Sequence, residues 1–180
     1  TVYSAKDADM VKTIFPVVHE IEERMSVRLP DSEVSRINAS AGIAPVPVSP
    51  DTYDVIKQGL SFSELSGGHF DVTVGPIVSL WGIGTETPRV PSSDEIARAV
   101  SLTDYTTVVL DDSARSVFLP EAGQAIDLGG IAKGWAIGAV ISALRGKGVD
   151  TALLNFGGNV CTLGTKKDGS PWRIGIQDPW

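Results

Sequence analysis

The residues best suited to chemistry lie in Asp127-Leu128-Gly129-Gly130-Ile131-Ala132-Lys133-Gly134. Gly129, Gly130 and Gly134 fall where a strand is expected to give way to a helix. Glycines at such a junction let a ligand approach the backbone, and a helix start offers unpaired N–H groups to an anion. Lys133 adds a cation. Asp127 adds an acceptor for a ribose, a base or a metal-bound water. The spacing fits neither G-x-x-x-x-G-K-[ST] nor G-x-G-x-x-G, so neither familiar phosphate loop is present. Taken alone, these glycines fit tight strand–helix packing better than a phosphate site.

A second candidate is Gly67-Gly68-His69-Phe70-Asp71-Val72-Thr73-Val74-Gly75-Pro76. Its plain reading is a helix end followed by a strand, with His69 structural and Phe70 in the core. The third is Asn155-Phe156-Gly157-Gly158-Asn159, either a Gly-Gly turn between two strands or a strand edge packed on a flat ligand. Cys161 reads as a buried hydrophobe.

The elements that must position these residues follow from pattern and composition. The chain has 180 residues, 15 Lys+Arg against 22 Asp+Glu, a formal charge of −7 and a hydrophobic share of 42%. That is room for one sizeable core and too apolar for disorder. An acidic chain without a Lys/Arg cluster argues against nonspecific binding to nucleic acid or an anionic membrane. One Cys excludes an internal disulfide and a Cys-rich zinc site, and two His leave few metal ligands unless oxygens serve. The most apolar run, residues 72–83, is too short to cross a membrane.

Met10, Ile14, Val17, Ile21 and Met25 recur at helical spacing, with Pro16 expected to kink or restart the helix. Asp31 or Ser32 can cap a short helix, and residues 44–48 read as an edge strand or loop. Ser49-Pro50-Asp51 starts a helix that stops at Gly67-Gly68. Ser92 or Ser93 caps another. Residues 107–110 and 116–119 flank a hairpin turn, and a helix follows Gly134. Residues 1–3, 151–156, 160–163 and 172–176 read as strands. Helices and hairpins mix without βαβ alternation, so the class is α+β.

Four blocks, in order, resemble one family. They are Pro30-Asp31-Ser32-Glu33-Val34-Ser35-Arg36-Ile37-Asn38; Gly68-His69-Phe70-Asp71-Val72-Thr73-Val74-Gly75-Pro76 through Trp81-Gly82; Asp127 to Ala136; and Phe156-Gly157-Gly158-Asn159 followed by Trp172-Arg173-Ile174-Gly175-Ile176-Gln177-Asp178-Pro179. Together they resemble the ApbE-type flavin transferases, the FAD:protein FMN transferases long described as thiamine-biosynthesis lipoproteins. The resemblance spans nearly the whole chain. It implies a single FAD-binding region over residues 1–180, of mixed helices and antiparallel strands in a T-fold-like α+β arrangement, incomplete at both ends.

What the resemblance implies is Mg²⁺-dependent transfer of the FMN phosphoryl group from FAD to a Thr or Ser hydroxyl of a target flavoprotein, with AMP leaving. Positioning and charge neutralisation carry most of such a reaction. By the same resemblance His69, Phe70 and Asp71 line the FAD site. Asp127 and Lys133 contact FAD, and Gly130 offers a backbone carbonyl to the metal. Arg28 falls where some members carry a flavin-packing Tyr, and a guanidinium can also stack on a flat ring. A Met-Gly-Thr segment is expected before Thr1, and a His-rich block with the Asp/Asp/Thr metal cluster after Trp180. Residues 1–180 alone are therefore expected to transfer FMN poorly, with the catalytic residues beyond them. Alternatives are an FAD-binding module without transfer, or a pyrophosphatase giving FMN and AMP. The resemblance also implies a bacterial protein of the cell envelope, on the periplasmic or outer side of the inner membrane, with a lipid anchor as an option.

Overall fold

The computed structural model describes residues 2–3 and 7–180. The chain divides into two compact units, residues 1–20 with 133–180, and residues 21–132.

In the first unit, strands β1 (Val2–Tyr3), β5 (Ala152–Phe156) and β6 (Asn159–Leu163) form an antiparallel sheet in the order β1-β5-β6. Val2 lies opposite Leu154, and Leu154 opposite Cys161. The β5–β6 turn is Gly157-Gly158, with φ of 58° and 97°. Positive φ at both central residues is the two-residue hairpin geometry that suits strand twist, and glycine adopts it without strain. The Gly-Gly block is thus a hairpin turn. Helices α1 (Asp7–Met25) and α6 (Ala132–Gly146) supply the rest of this core. Met10, Ile14, Val140, Leu144, Ala152 and Leu154 are buried together, and Cys161 packs half-buried against them. Helix α1 continues through Pro16 without a restart. The Met10, Ile14 and Val17 stripe packed on the core outweighs one missing backbone bond. The expected strand at 172–176 is not formed. Its apolar pattern is right, yet no described strand pairs with it, and Ile176 stands exposed. A strand exists only through its partner's hydrogen bonds.

The second unit carries α2 (Glu33–Ala39), β2 (Val46–Pro47), α3 (Pro50–Leu65), α4 (Gly75–Trp81), α5 (Ser93–Ser101), β3 (Val109–Asp111) and β4 (Ser116–Phe118). Its antiparallel sheet runs β2-β4-β3, so residues 46–47 do form an edge strand. Helix starts follow the capping chemistry. Ser32 caps α2, Ser49 caps α3 with Pro50 behind it, and Ser92 forms a reciprocal capping box with Glu95. Arg89 beside Glu95, with help from Ser92, holds that carboxyl down at about 2. The β3–β4 hairpin is tied to α3 through Asp112, which accepts from Tyr53 Oη at 2.9 Å and Lys57 Nζ at 2.6 Å. Burial, then the hydrogen bond to Asp112, pushes the Tyr53 hydroxyl up to about 12. The run after Asp71 is not a strand: it turns, and α4 begins at Gly75 with Pro76 in its first turn. Proline's fixed φ and missing N–H suit a helix start and not a central strand. Among the described residues no helix is long and apolar enough to cross a membrane.

Candidate functional site

Beyond α3 the chain turns sharply and presents His69 to solvent, with Phe70 and Asp71 half-buried behind it. Phe70 N donates to Ser66 Oγ at 2.9 Å, which fixes the start of the loop. Asp71 is braced on both oxygens. Its Oδ1 accepts from Thr73 N at 2.7 Å and Thr73 Oγ1 at 2.6 Å, while Oδ2 accepts from Tyr105 N at 3.2 Å. Val72 and Thr73 are fully buried, so this carboxylate anchors the loop that carries His69 and Phe70.

The turn carrying Asp127 packs directly on that loop. Asp127 N donates to Val72 O at 2.9 Å, and Gly75 N donates to Ala125 O at 3.2 Å. A Cβ on Gly75 would stand 2.7 Å from Ala125 O, so the two backbones approach as only glycine allows. From α2, Asn38 holds residue 126: Nδ2 donates to Ile126 O at 2.9 Å, and Ile126 N donates to Oδ1 at 2.7 Å. The strand expected before Asp127 is therefore absent. Its hydrogen bonds go to one side-chain amide and a loop, which extend the backbone without building a ladder.

Asp127 Oδ1 accepts from Gly129 N at 2.7 Å. Its other oxygen takes no hydrogen bond from the described residues. Gly129 and Gly130 are exposed, and a Cβ on Gly130 would stand 2.8 Å from Phe70 Cε2. The Phe70 ring thus lies against the Gly130 backbone. Helix α6 begins at Ala132, so Lys133 and Gly134 lie within its first turn, not ahead of it. Lys133 is exposed and belongs to the first unit.

The second unit so brings together Phe70, Asp71, Asp127 and Gly130, with exposed His69 beside Phe70. Arg28 is exposed, and its guanidinium lies against Gly84. No hydrogen bond or ion pair joins Arg28 to the Phe70–Asp127 group. The assembled set offers a carboxylate oxygen, a ring and uncovered glycine backbone, which are parts of a surface for a planar, polar ligand. It does not amount to a metal cage: among the described residues no three His, Cys, Asp or Glu side chains converge.

Asn38, Thr73 and Tyr105 position this group, and none is evident from the chemistry-bearing motifs alone. For Asn38 the signal was its place four residues after buried Val34 and beside buried Ile37, since a polar side chain on a buried helix face needs a partner. For Thr73 it was the Asp-x-Thr spacing of an Asx turn. Tyr105 carries no such signal, because it contributes a backbone N–H from a distant segment.

The sequence model of the ApbE family matches residues 1–180. The chain is 36% identical over 174 residues to an FAD:protein FMN transferase of Klebsiella pneumoniae, covering 97% of this chain and 53% of that protein. It is 34% identical over 165 residues to one of Vibrio cholerae, covering 91% of this chain and 49% of that protein. Among solved structures, the flavin transferase ApbE of Vibrio cholerae superposes with a TM-score of 0.89 at 32% identity, covering 97% of this chain and 57% of that one. The ApbE protein of Thermotoga maritima gives 0.86 at 36% identity, covering 99% and 59%. The chain therefore spans about half the length of the curated relatives it matches.

Proposed function

The chain belongs to the ApbE family, and we propose that it is the FAD-holding part of an FAD:protein FMN transferase. The observation that carries this is the packing of the Phe70 loop on the Asp127–Gly130 turn, in a chain so similar to proteins of that name. Phe70 and the glycine backbone would take the flat and phosphate parts of FAD. The unengaged oxygen of Asp127 would accept from a ribose or ring N–H. Asp71, accepting from Thr73 on one oxygen and from Tyr105 on the other, braces the loop and keeps lone pairs to offer FAD beside His69 and Phe70.

In the proposed reaction the acceptor hydroxyl oxygen attacks the FMN phosphorus of FAD. The bond from that phosphorus to the bridging oxygen breaks, AMP leaves with the bridging oxygen, and the hydroxyl proton passes to a base. Mg²⁺ belongs to the proposal as neutraliser of the phosphate charge, since this ion commonly rests on substrate phosphates, water and few protein oxygens. The acceptor is a flavoprotein subunit with a target Thr or Ser, and the exported location implied by the resemblance completes the reading.

The test begins with FAD itself. Titration should quench flavin fluorescence saturably, and Mg²⁺ with an acceptor subunit should then give a fluorescent acceptor band and AMP in equal amount, slowly for residues 1–180 alone. Free FMN with AMP would indicate hydrolysis instead, and bound but intact FAD a binding module. Absence of saturable FAD binding would overturn the proposal.

A further inference from the structure

We infer that Asn38 is a positioning residue for Asp127, acting through the peptide that joins Ile126 to Asp127. For its consequence on substrate this rests on the reading that Asp127 meets FAD. The carbonyl of that peptide accepts from Asn38 Nδ2 at 2.9 Å, and its N–H donates to Val72 O at 2.9 Å. The same amide of Asn38 accepts from Ile126 N at 2.7 Å. One side chain thus makes the pair of bonds a neighbouring strand would make. The plane of the 126–127 peptide, gripped at both ends, sets the direction in which the Asp127 side chain leaves the backbone.

Ile126 is fully buried, so loss of the Asn38 amide takes from both of its backbone groups the partner that satisfies them. Ala125 O is held separately by Gly75 N. Asp127 in turn holds Gly129 N at 2.7 Å, which makes the Gly129 amide a reporter of where the carboxylate stands. A stabilising contact and nothing more would leave that reporter and the ligand affinity unmoved once the protein is folded.

Asn38→Asp is the sharper variant, because it keeps the acceptor for Ile126 N and replaces the donor to Ile126 O by a charged oxygen that repels that carbonyl. Asn38→Ala is the harsher second. In folded Asn38→Asp, exchange of the Gly129 amide should speed about tenfold, while the Thr73 and Tyr105 amides held by Asp71 keep their protection. The FAD dissociation constant by flavin fluorescence should rise about tenfold, and Asn38→Asp with Asp127→Ala should bind no more weakly than Asp127→Ala alone. Wild-type Gly129 protection in both folded variants would overturn the inference, as would losses that multiply in the double variant. If the parent chain binds no FAD, the FAD reading of the site fails, and the Gly129 amide alone decides the role of Asn38.

Discussion

At Gly130 a single methyl group and the Phe70 ring compete for one volume. A Cβ there would stand 2.8 Å from the ring, so Gly130→Ala must push Phe70 out of place. FAD affinity should fall several-fold while the melting temperature moves little, because the turn is exposed and its φ is compatible with alanine. An unchanged affinity would show that the ring does not meet ligand. Asp127→Ala removes one charged acceptor, worth roughly 1.5–3 kcal/mol and so about tenfold or more in affinity. A thermal melt run beside the titration separates that loss from unfolding. Asp127 could be read from its place among the glycines, and Phe70 only from the family blocks. That the Asp71 carboxylate also accepts from Tyr105 N could not be read, since that part of the brace is a backbone N–H 34 residues away.

Among the elements, those set by local chemistry were legible and those set by partners were not. Serine caps, Pro50 behind Ser49, and the Gly157-Gly158 turn act within a few residues, so their types alone placed α2, α3, α5 and the β5–β6 hairpin. The segment leading into Asp127 and residues 172–176 are expected as strands but find no strand partner among the described residues, and pairing is a property of the distant segment. Gly75 sits where two such segments meet. Gly75→Ala would drive a Cβ into the Ala125 backbone at 2.7–2.9 Å, and overpacking of this kind costs about 1–3 kcal/mol. Chemical denaturation should show that loss; a neutral result would mean that the 125–127 turn yields easily. The α3–hairpin tie has a pH signature. Tyr53 titrates at about 12 when folded against 10.0 unfolded, so the folded chain keeps this proton longer. Its contribution is fully present below pH 10 and is lost as pH rises through about 12. Stability measured across that window should fall less steeply in Tyr53→Phe, whose side chain does not titrate.

For the whole molecule, the α+β class and the antiparallel sheets follow from the hairpin and helix patterns, whereas the division into two units does not. It separates Lys133 from the Asp127 turn within one sequence block, and no local pattern marks that boundary. In the unit of residues 1–20 and 133–180, Leu154→Ala would empty a fully buried position of β5, at a cost of roughly 2–5 kcal/mol. Amide exchange should accelerate first in β5, β6 and α6; uniform acceleration throughout residues 21–132 would contradict a unit with a core of its own. The central claim, that this chain holds FAD at the Asp127–Gly130 turn, is tested most directly by titrating FAD into the parent chain and into Asp127→Ala. The account predicts saturable quenching of flavin fluorescence by the parent and an affinity about tenfold weaker in the variant at an unchanged melting temperature. Equal affinity in the two proteins, or no saturable quenching in the parent, would contradict it.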